Sequence, residues 1–219
     1  MTDRSKGQLR LDPCVAALAL AAVLGCAPRA APLGGAAVPA RLPGAQLPAY
    51  HQQVFFDWEY EDQDFGGRGE GVARIAPPDS ARLDFFLSGI GAGGHAWLIG
   101  NEVTAPGGNL VRRYVPPAPL MWAALGRLAV PPAADTTARV DGDTLRADIG
   151  RGDDRWRVTF VGERLVRLER VSGGRLVELV SHSPSGDVRY ENRGAGRRLR
   201  LTKVRAERAP EFDASIWRP

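Results

Sequence analysis

Six residues near the middle of the chain, Gly89-Ile90-Gly91-Ala92-Gly93-Gly94, match the spacing GxGxxG, which lets a tight turn bring backbone N–H groups against a pyrophosphate. That chemistry needs a strand before the glycines and a helix N-terminus after them. Here the alternating run His95-Ala96-Trp97-Leu98-Ile99 follows, so the glycines are expected at the tip of a hairpin. The other residues able to make or break bonds are no better placed. His51, His95 and His182 are far apart in the chain, and neither an HExxH pair nor a GxSxG nucleophile accompanies them. The acidic run Glu59, Glu61, Asp62 and Asp64 lacks the spacing of a calcium loop, and Asp153-Asp154 reads as turn chemistry. No nucleophile pairs with a base. No catalytic residue, cofactor or metal ligand is therefore expected, and the chain is not read as an enzyme.

The cysteines carry a different chemistry. Both lie near the N-terminus, at Cys14 and Cys26, so the rest of the chain has no thiol, disulfide or cysteine metal site. Arg4, Lys6 and Arg10 precede an apolar run over 13–24 that is too short to span a bilayer, the pattern of a secretory signal. The run ends in Val23-Leu24-Gly25-Cys26, which resembles the bacterial lipobox, where a cysteine after a small residue receives a diacylglyceryl group and becomes the new N-terminus. On that resemblance Cys26 is the lipid attachment residue and residues 1–25 are a lipoprotein signal peptide. The alternative is an ordinary secretory signal cleaved near Ala27 or Ala31. Ala27, rather than Asp, after the cysteine gives no reason to expect retention at an inner membrane.

Residues 26–49 are mostly Ala, Pro, Gly and Leu without strand or helical periodicity, and are expected as a lipid-anchored, disordered tether. Fully extended it would reach roughly 70 Å, and as a coil nearer 25 to 30 Å. Residues 50–219 then read as one domain, strand after strand. The clearest is 80–88, with Ala81, Leu83, Phe85 and Leu87 on one face and Arg82, Asp84 and Ser88 on the other. Further strands are expected over 54–60, 68–76, 95–101, 110–114, 137–140, 144–149, 154–161, 164–171, 175–182, 187–192 and 197–206, separated by turns such as Asp141-Gly142-Asp143. The fold class is mainly β: a single curved antiparallel sheet or unclosed barrel of about eleven strands.

One helix interrupts the strands. Pro116 to Gly126 places Pro119 in a first turn and Gly126 at the stop, and Leu120, Met121, Trp122 and Leu125 leave no polar face. So short a helix is marginal alone and must be enclosed. Burying Trp122 alone removes about 150 to 250 Å² from water, worth roughly 4 to 6 kcal/mol as an upper bound. The helix is either a plug capping an ordinary core or a lid over a ligand cavity. The chain's net charge of +4 comes almost wholly from arginine, since Lys6 and Lys203 are the only lysines, and arginines are interspersed with acids. That pattern argues against a nucleic-acid partner.

The lipobox, the proline-rich tether, the strand count and the mid-chain helix together resemble the LolA/LolB superfamily of bacterial lipoprotein carriers. The nearest local match is the stretch from Gly71 through Pro77-Pro78 to Phe85. The resemblance implies an unclosed barrel that holds acyl chains beneath a helical lid, with Leu83, Phe85, Leu87, Trp97, Ile99, Leu120, Met121 and Trp122 as the acyl-cavity lining. It implies an apolar residue on a hairpin that aids delivery to the membrane, here Ile90. It also implies a monomer on the outer membrane facing the periplasm, with a periplasmic carrier protein and acyl chains of lipoproteins or lipids as partners. LolA-like members place a lid-locking arginine before the proline, whereas here Arg74 is the nearest basic residue. A second expectation is a structural envelope lipoprotein whose filled barrel binds a protein partner.

Overall fold

The computed structural model describes residues 29–89, 93–106, 115–131, 133 and 135–218. Cys26, Ile90 and the strand expected over 110–114 lie outside the described residues.

Among the described residues thirteen strands form one antiparallel sheet. They are β1 Ala36–Val38, β2 Gln52–Glu61, β3 Gly66–Ala76, β4 Ser80–Leu87, β5 Gly93–Ile99, β6 Glu102–Thr104, β7 Thr136–Asp141, β8 Thr144–Ile149, β9 Arg155–Val161, β10 Arg164–Ser172, β11 Arg175–His182, β12 Val188–Asn192 and β13 Arg197–Arg208. Across the sheet the order is β1-β7-β8-β9-β10-β11-β12-β13-β2-β3-β4-β5-β6, with β1 and β6 unpaired to each other, so the sheet does not close. Hairpin connections place the turns at two rims. The first rim carries the turns around 62–65, 150–154, 173–174 and 193–196, and the second those around 77–79, 142–143, 162–163 and 183–187.

The unclosed mainly β fold is as expected, but two short edge strands raise the count above eleven. One is β6, which exists because Gly100, at a φ of +57°, turns the chain where a single strand over 95–101 was expected. The other is β1, which pairs with β7 inside the stretch read as a tether. That stretch departs from the expectation further along as well. Ala45 is buried, Leu42 and Leu47 pack on the core, and the Leu128 N–H donates to the Ala45 carbonyl at 3.0 Å. Alternation was a poor guide here because these side chains are buried singly, against other elements, with no period for the sequence to show.

The helix α1, Ala118–Ala124, lies in the concavity of the sheet, with Pro119 in its first turn. Gly126, at a φ of +88°, lets the Gly126 and Arg127 N–H groups close on the Ala123 and Trp122 carbonyls. The helix divides its apolar surface between two halves of the core. Leu120 and Ala123 join the cluster built on β7–β12, while Ala118, Met121 and Trp122 join the one built on β2–β5. Leu199 and Leu201 of β13 touch both. A helix without a polar side is thereby satisfied on every face.

Candidate ligand-binding site

Between α1 and the sheet lies a cavity of about 600 Å³. This falls within the roughly 300 to 1,000 Å³ of ordinary small-molecule sites. Its walls come from inward-facing residues of β2, β4, β5, β11, β12 and β13, including Trp58, Leu83, Phe85, Ala96, Val180, Val188, Leu199 and Leu201, and from Leu120, Met121 and Leu125 of the helix segment. Glycines on β3 make room for the rings. A Cβ at Gly69 would collide with the Phe86 carbonyl and come within 3.0 Å of the Trp58 indole nitrogen, and one at Gly71 would collide with the Phe56 ring. Both positions face aromatic partners in register, Gly69 opposite Trp58 and Gly71 opposite Phe56.

The polar atoms of the lining aromatics are engaged elsewhere. Trp58 Nε1 donates to the Glu70 carbonyl at 3.0 Å, the Tyr60 hydroxyl donates to Asp62 at 2.7 Å, and the Tyr190 hydroxyl donates to Glu178 at 2.8 Å. Glu178 is itself buried and also accepts from Asn192 at 3.0 Å and Arg170 at 2.8 Å. Burial, and then the Glu178 charge, push the Tyr190 phenol well above its ordinary range. What faces the cavity is mostly carbon, with Asp64 a charged exception in its wall. At the first rim, Asp62 accepts from the Asp64 and Phe65 N–H groups at 2.8 and 2.7 Å, which holds a tight turn carrying the half-exposed Phe65 beside the cavity. The Tyr60 bond is the main reason the Asp62 carboxyl is held below its usual range.

A second cavity of about 500 Å³ lies toward the other rim and shares Leu83, Ala124, Leu125, Val188 and Leu201 with the first. Its wall is more polar and includes Gln46, Gln52, Arg164, His182 and Lys203. A bulge in β13 between Lys203 and Arg205 sets this pattern. Lys203 stands opposite the inward Phe56, whereas Arg205 moves to the outer face over Phe55, 3.7 Å from the ring.

The structure brings four of the eight expected lining residues together: Leu83, Phe85, Leu120 and Met121 all line the first cavity. Leu87 packs on the same apolar cluster without bordering the cavity. Trp97 and Ile99 are corrections. The inward residues of β5 are Ala96 and Leu98, so Trp97 and Ile99 point to the outer face. There the C-terminal turn Ala214–Trp217 covers Trp97, whose Nε1 donates to the Ile216 carbonyl at 2.7 Å, while Ile99 remains 40% exposed. Trp122 is also away from the cavity. It is fully buried, its Nε1 donates to the Gly100 carbonyl at 2.6 Å, and Arg127 lies over its ring at 4.6 Å. Arg74 pairs with Asp84, which Arg82 also holds, so it does not touch the helix. The alternations at Val188/Tyr190 and Leu199/Leu201 were the available signals for the lining of β12 and β13.

The three histidines lie apart, each with its own neighbour. His51 Nδ1 accepts from the Phe212 N–H at 3.0 Å, His95 meets Trp97 edge-on at 4.5 Å, and His182 reaches α1. Among the described residues no group of three acidic, histidine or cysteine side chains is placed to hold a metal ion. Also among them, no helix is long and apolar enough to cross a membrane. Gly93 and Gly94 of the glycine run open β5, which pairs antiparallel with β4 before it, as a hairpin requires and a dinucleotide loop does not.

No protein-family model matches the chain, and no curated protein matches it in sequence. Solved structures do match in fold. A LolA superfamily protein from Nitrosomonas europaea superposes with a TM-score of 0.51 at 11% identity, over 80% of this chain and 93% of that one. A DUF1329 family protein from Desulfovibrio piger gives 0.47 at 9% identity, over 78% and 90% of the two chains. A domain from Vibrio parahaemolyticus assigned to outer membrane lipoprotein sorting gives 0.47 at 7% identity, over 79% and 91%. With one open antiparallel sheet curved around a short apolar helix, this chain has a LolA-like fold.

Proposed function

We propose that this protein binds acyl chains in the cavity between α1 and the sheet, and that it serves lipoprotein or lipid sorting in the cell envelope as a domain anchored through a lipid on Cys26. The observation that carries the reading is the apolar cavity of about 600 Å³, whose aromatic walls have their hydroxyl and indole groups bonded elsewhere. Apart from Asp64 at its rim, such a wall offers a ligand burial and little that is directional. Each CH₂ buried contributes about 0.8 kcal/mol, which is enough to hold a chain while leaving it able to depart. The LolA-like fold supports the same reading, as does the lipobox-like Val23-Leu24-Gly25-Cys26. It needs no covalent chemistry and no cofactor. On this reading the anchor lies in the outer membrane, the domain faces the periplasm, and cargo arrives from a carrier protein.

Native mass spectrometry of protein purified without detergent, together with titration by the neutral apolar dye N-phenyl-1-naphthylamine, tests the cavity. Co-purified lipid and saturable dye uptake that lipid displaces are the expected results. A protein that carries no lipid and takes up no dye would overturn the acyl-binding reading.

A further inference from the structure

The described chain begins by pairing, not by dangling. Arg29 forms an antiparallel bridge with Arg175, and the Ala30 N–H donates to the Gly174 carbonyl at 2.9 Å. Arg157 then donates to the Ala31 carbonyl at 2.7 Å and Arg139 to the Gly35 carbonyl at 2.9 Å, before β1 joins β7. The N-terminal segment is thus fixed to the sheet from Arg29 onward. Arg175 opens β11, so this attachment point lies on the first rim, the rim of the 62–65 turn and Phe65.

Only Ala27 and Pro28 separate Cys26 from that point. Three residue steps span at most about 11 Å. The second rim lies much farther off, since a strand of 10 residues such as β2 is roughly 30 Å long. A lipid on Cys26 can enter a bilayer only if the first rim is close to it, and the second rim cannot take its place. The cavity reaches the same rim, where Phe65 forms part of its wall. Phe65 is three to four strands from β11 along the rim, roughly 15 to 20 Å, is 49% exposed and borders the cavity.

We propose that the first rim is the surface this protein presents to a lipid membrane, with the end of the cavity bordered by Phe65 directed toward the bilayer. The proposal rests on the reading of Cys26 as the lipid anchor. It turns a reorienting domain on a long leash into one held in a fixed sense, so that an acyl chain leaving past Phe65 has a short path to the lipid.

The test uses the lipidated protein in vesicles of phosphatidylethanolamine and phosphatidylglycerol containing a few per cent of headgroup-nitroxide lipid. With Cys26 acylated, a single new cysteine can carry a fluorophore, placed by Asp153→Cys at the first rim or by Asp143→Cys at the second. The expected result is quenching several times stronger at 153 than at 143. Inserting a flexible run of about 20 Gly/Ser residues between Pro28 and Arg29 should bring the two values together. Equal quenching without the insertion, or stronger quenching at 143, in protein whose lipid on Cys26 is confirmed by mass spectrometry, overturns the orientation and leaves the anchor intact. Membrane association that survives Cys26→Ser without a covalent lipid overturns the anchor and the orientation with it.

Discussion

His182 Nε2–H donates to the carbonyl oxygen of Ala123 at 2.7 Å, tying the end of β11 to the last turn of α1. The helix covers the cavity, so this bond joins the cover to one wall. Burial holds the imidazole below its ordinary pKa, the bond to Ala123 works against that shift, and the nearby Arg164 charge adds to it.

Stability should therefore fall as pH drops through the unfolded histidine value. In the unfolded chain His182 titrates near about 6.5, and the folded state refuses that proton until a lower pH. Between the two values the unfolded state binds more protons, so acid favours unfolding. Urea midpoints measured from pH 8 to pH 5 should decline below about 6.5, and His182→Gln should flatten that decline. An unchanged slope in the variant would remove His182 from the account. Asp62, Asp154 and Asp213, all held low by hydrogen bonds, act only in a more acid range.

Trp122→Ala is expected to destabilise the fold by about 3 to 5 kcal/mol, the cost of emptying a fully buried aromatic site. It also leaves the Gly100 carbonyl without its donor. Because Trp122 does not line the cavity, Trp122→Phe should keep dye uptake while losing about 1 kcal/mol with the hydrogen bond. Denaturant melts and dye titrations on the same samples separate the two effects.

Ala96→Phe should fill the cavity from its β5 wall. Ala96 is 5% exposed and borders the space below α1. Dye affinity should drop about tenfold or more, with a stability change of no more than about 1 to 3 kcal/mol from overpacking. Undiminished uptake would place the dye elsewhere.

Gly71→Ala should cost about 1 to 3 kcal/mol although it adds a single methyl group, because that methyl would displace the Phe56 ring. Alanine at Gly44, where nothing lies within 4 Å, should be close to neutral and serves as the control in a urea melt.

Much of this architecture can be read from the sequence, for reasons visible in single strands. In β4 the alternation sets Ala81, Leu83 and Phe85 on the core face and Arg82 and Asp84 on the other, as expected, although Asp84 is buried beneath Arg74 and Arg82 rather than wet. The helix is legible because its prolines and Gly126 punctuate an apolar run. Trp97 departs from expectation, since a large aromatic suggests an inward face and this one lies on the outer face. Its cover comes from Ile216, 119 residues later, and the preference for hiding a ring does not say which face has a partner. The cavity is equally hard to read. Leu83 would look the same in a filled core, and the free space arises from how α1 stands off the sheet.

The ends of the open sheet carry a further consequence. An unclosed sheet exposes two rows of backbone groups, and long, flat edges recruit other chains into extended β assemblies. Among the described residues the outermost strands, β1 and β6, are three residues long, against twelve in β13. Each offers room for one or two cross-chain hydrogen bonds, too few to nucleate a stack. Outermost strands this short blunt edge-to-edge recruitment while the concavity stays open.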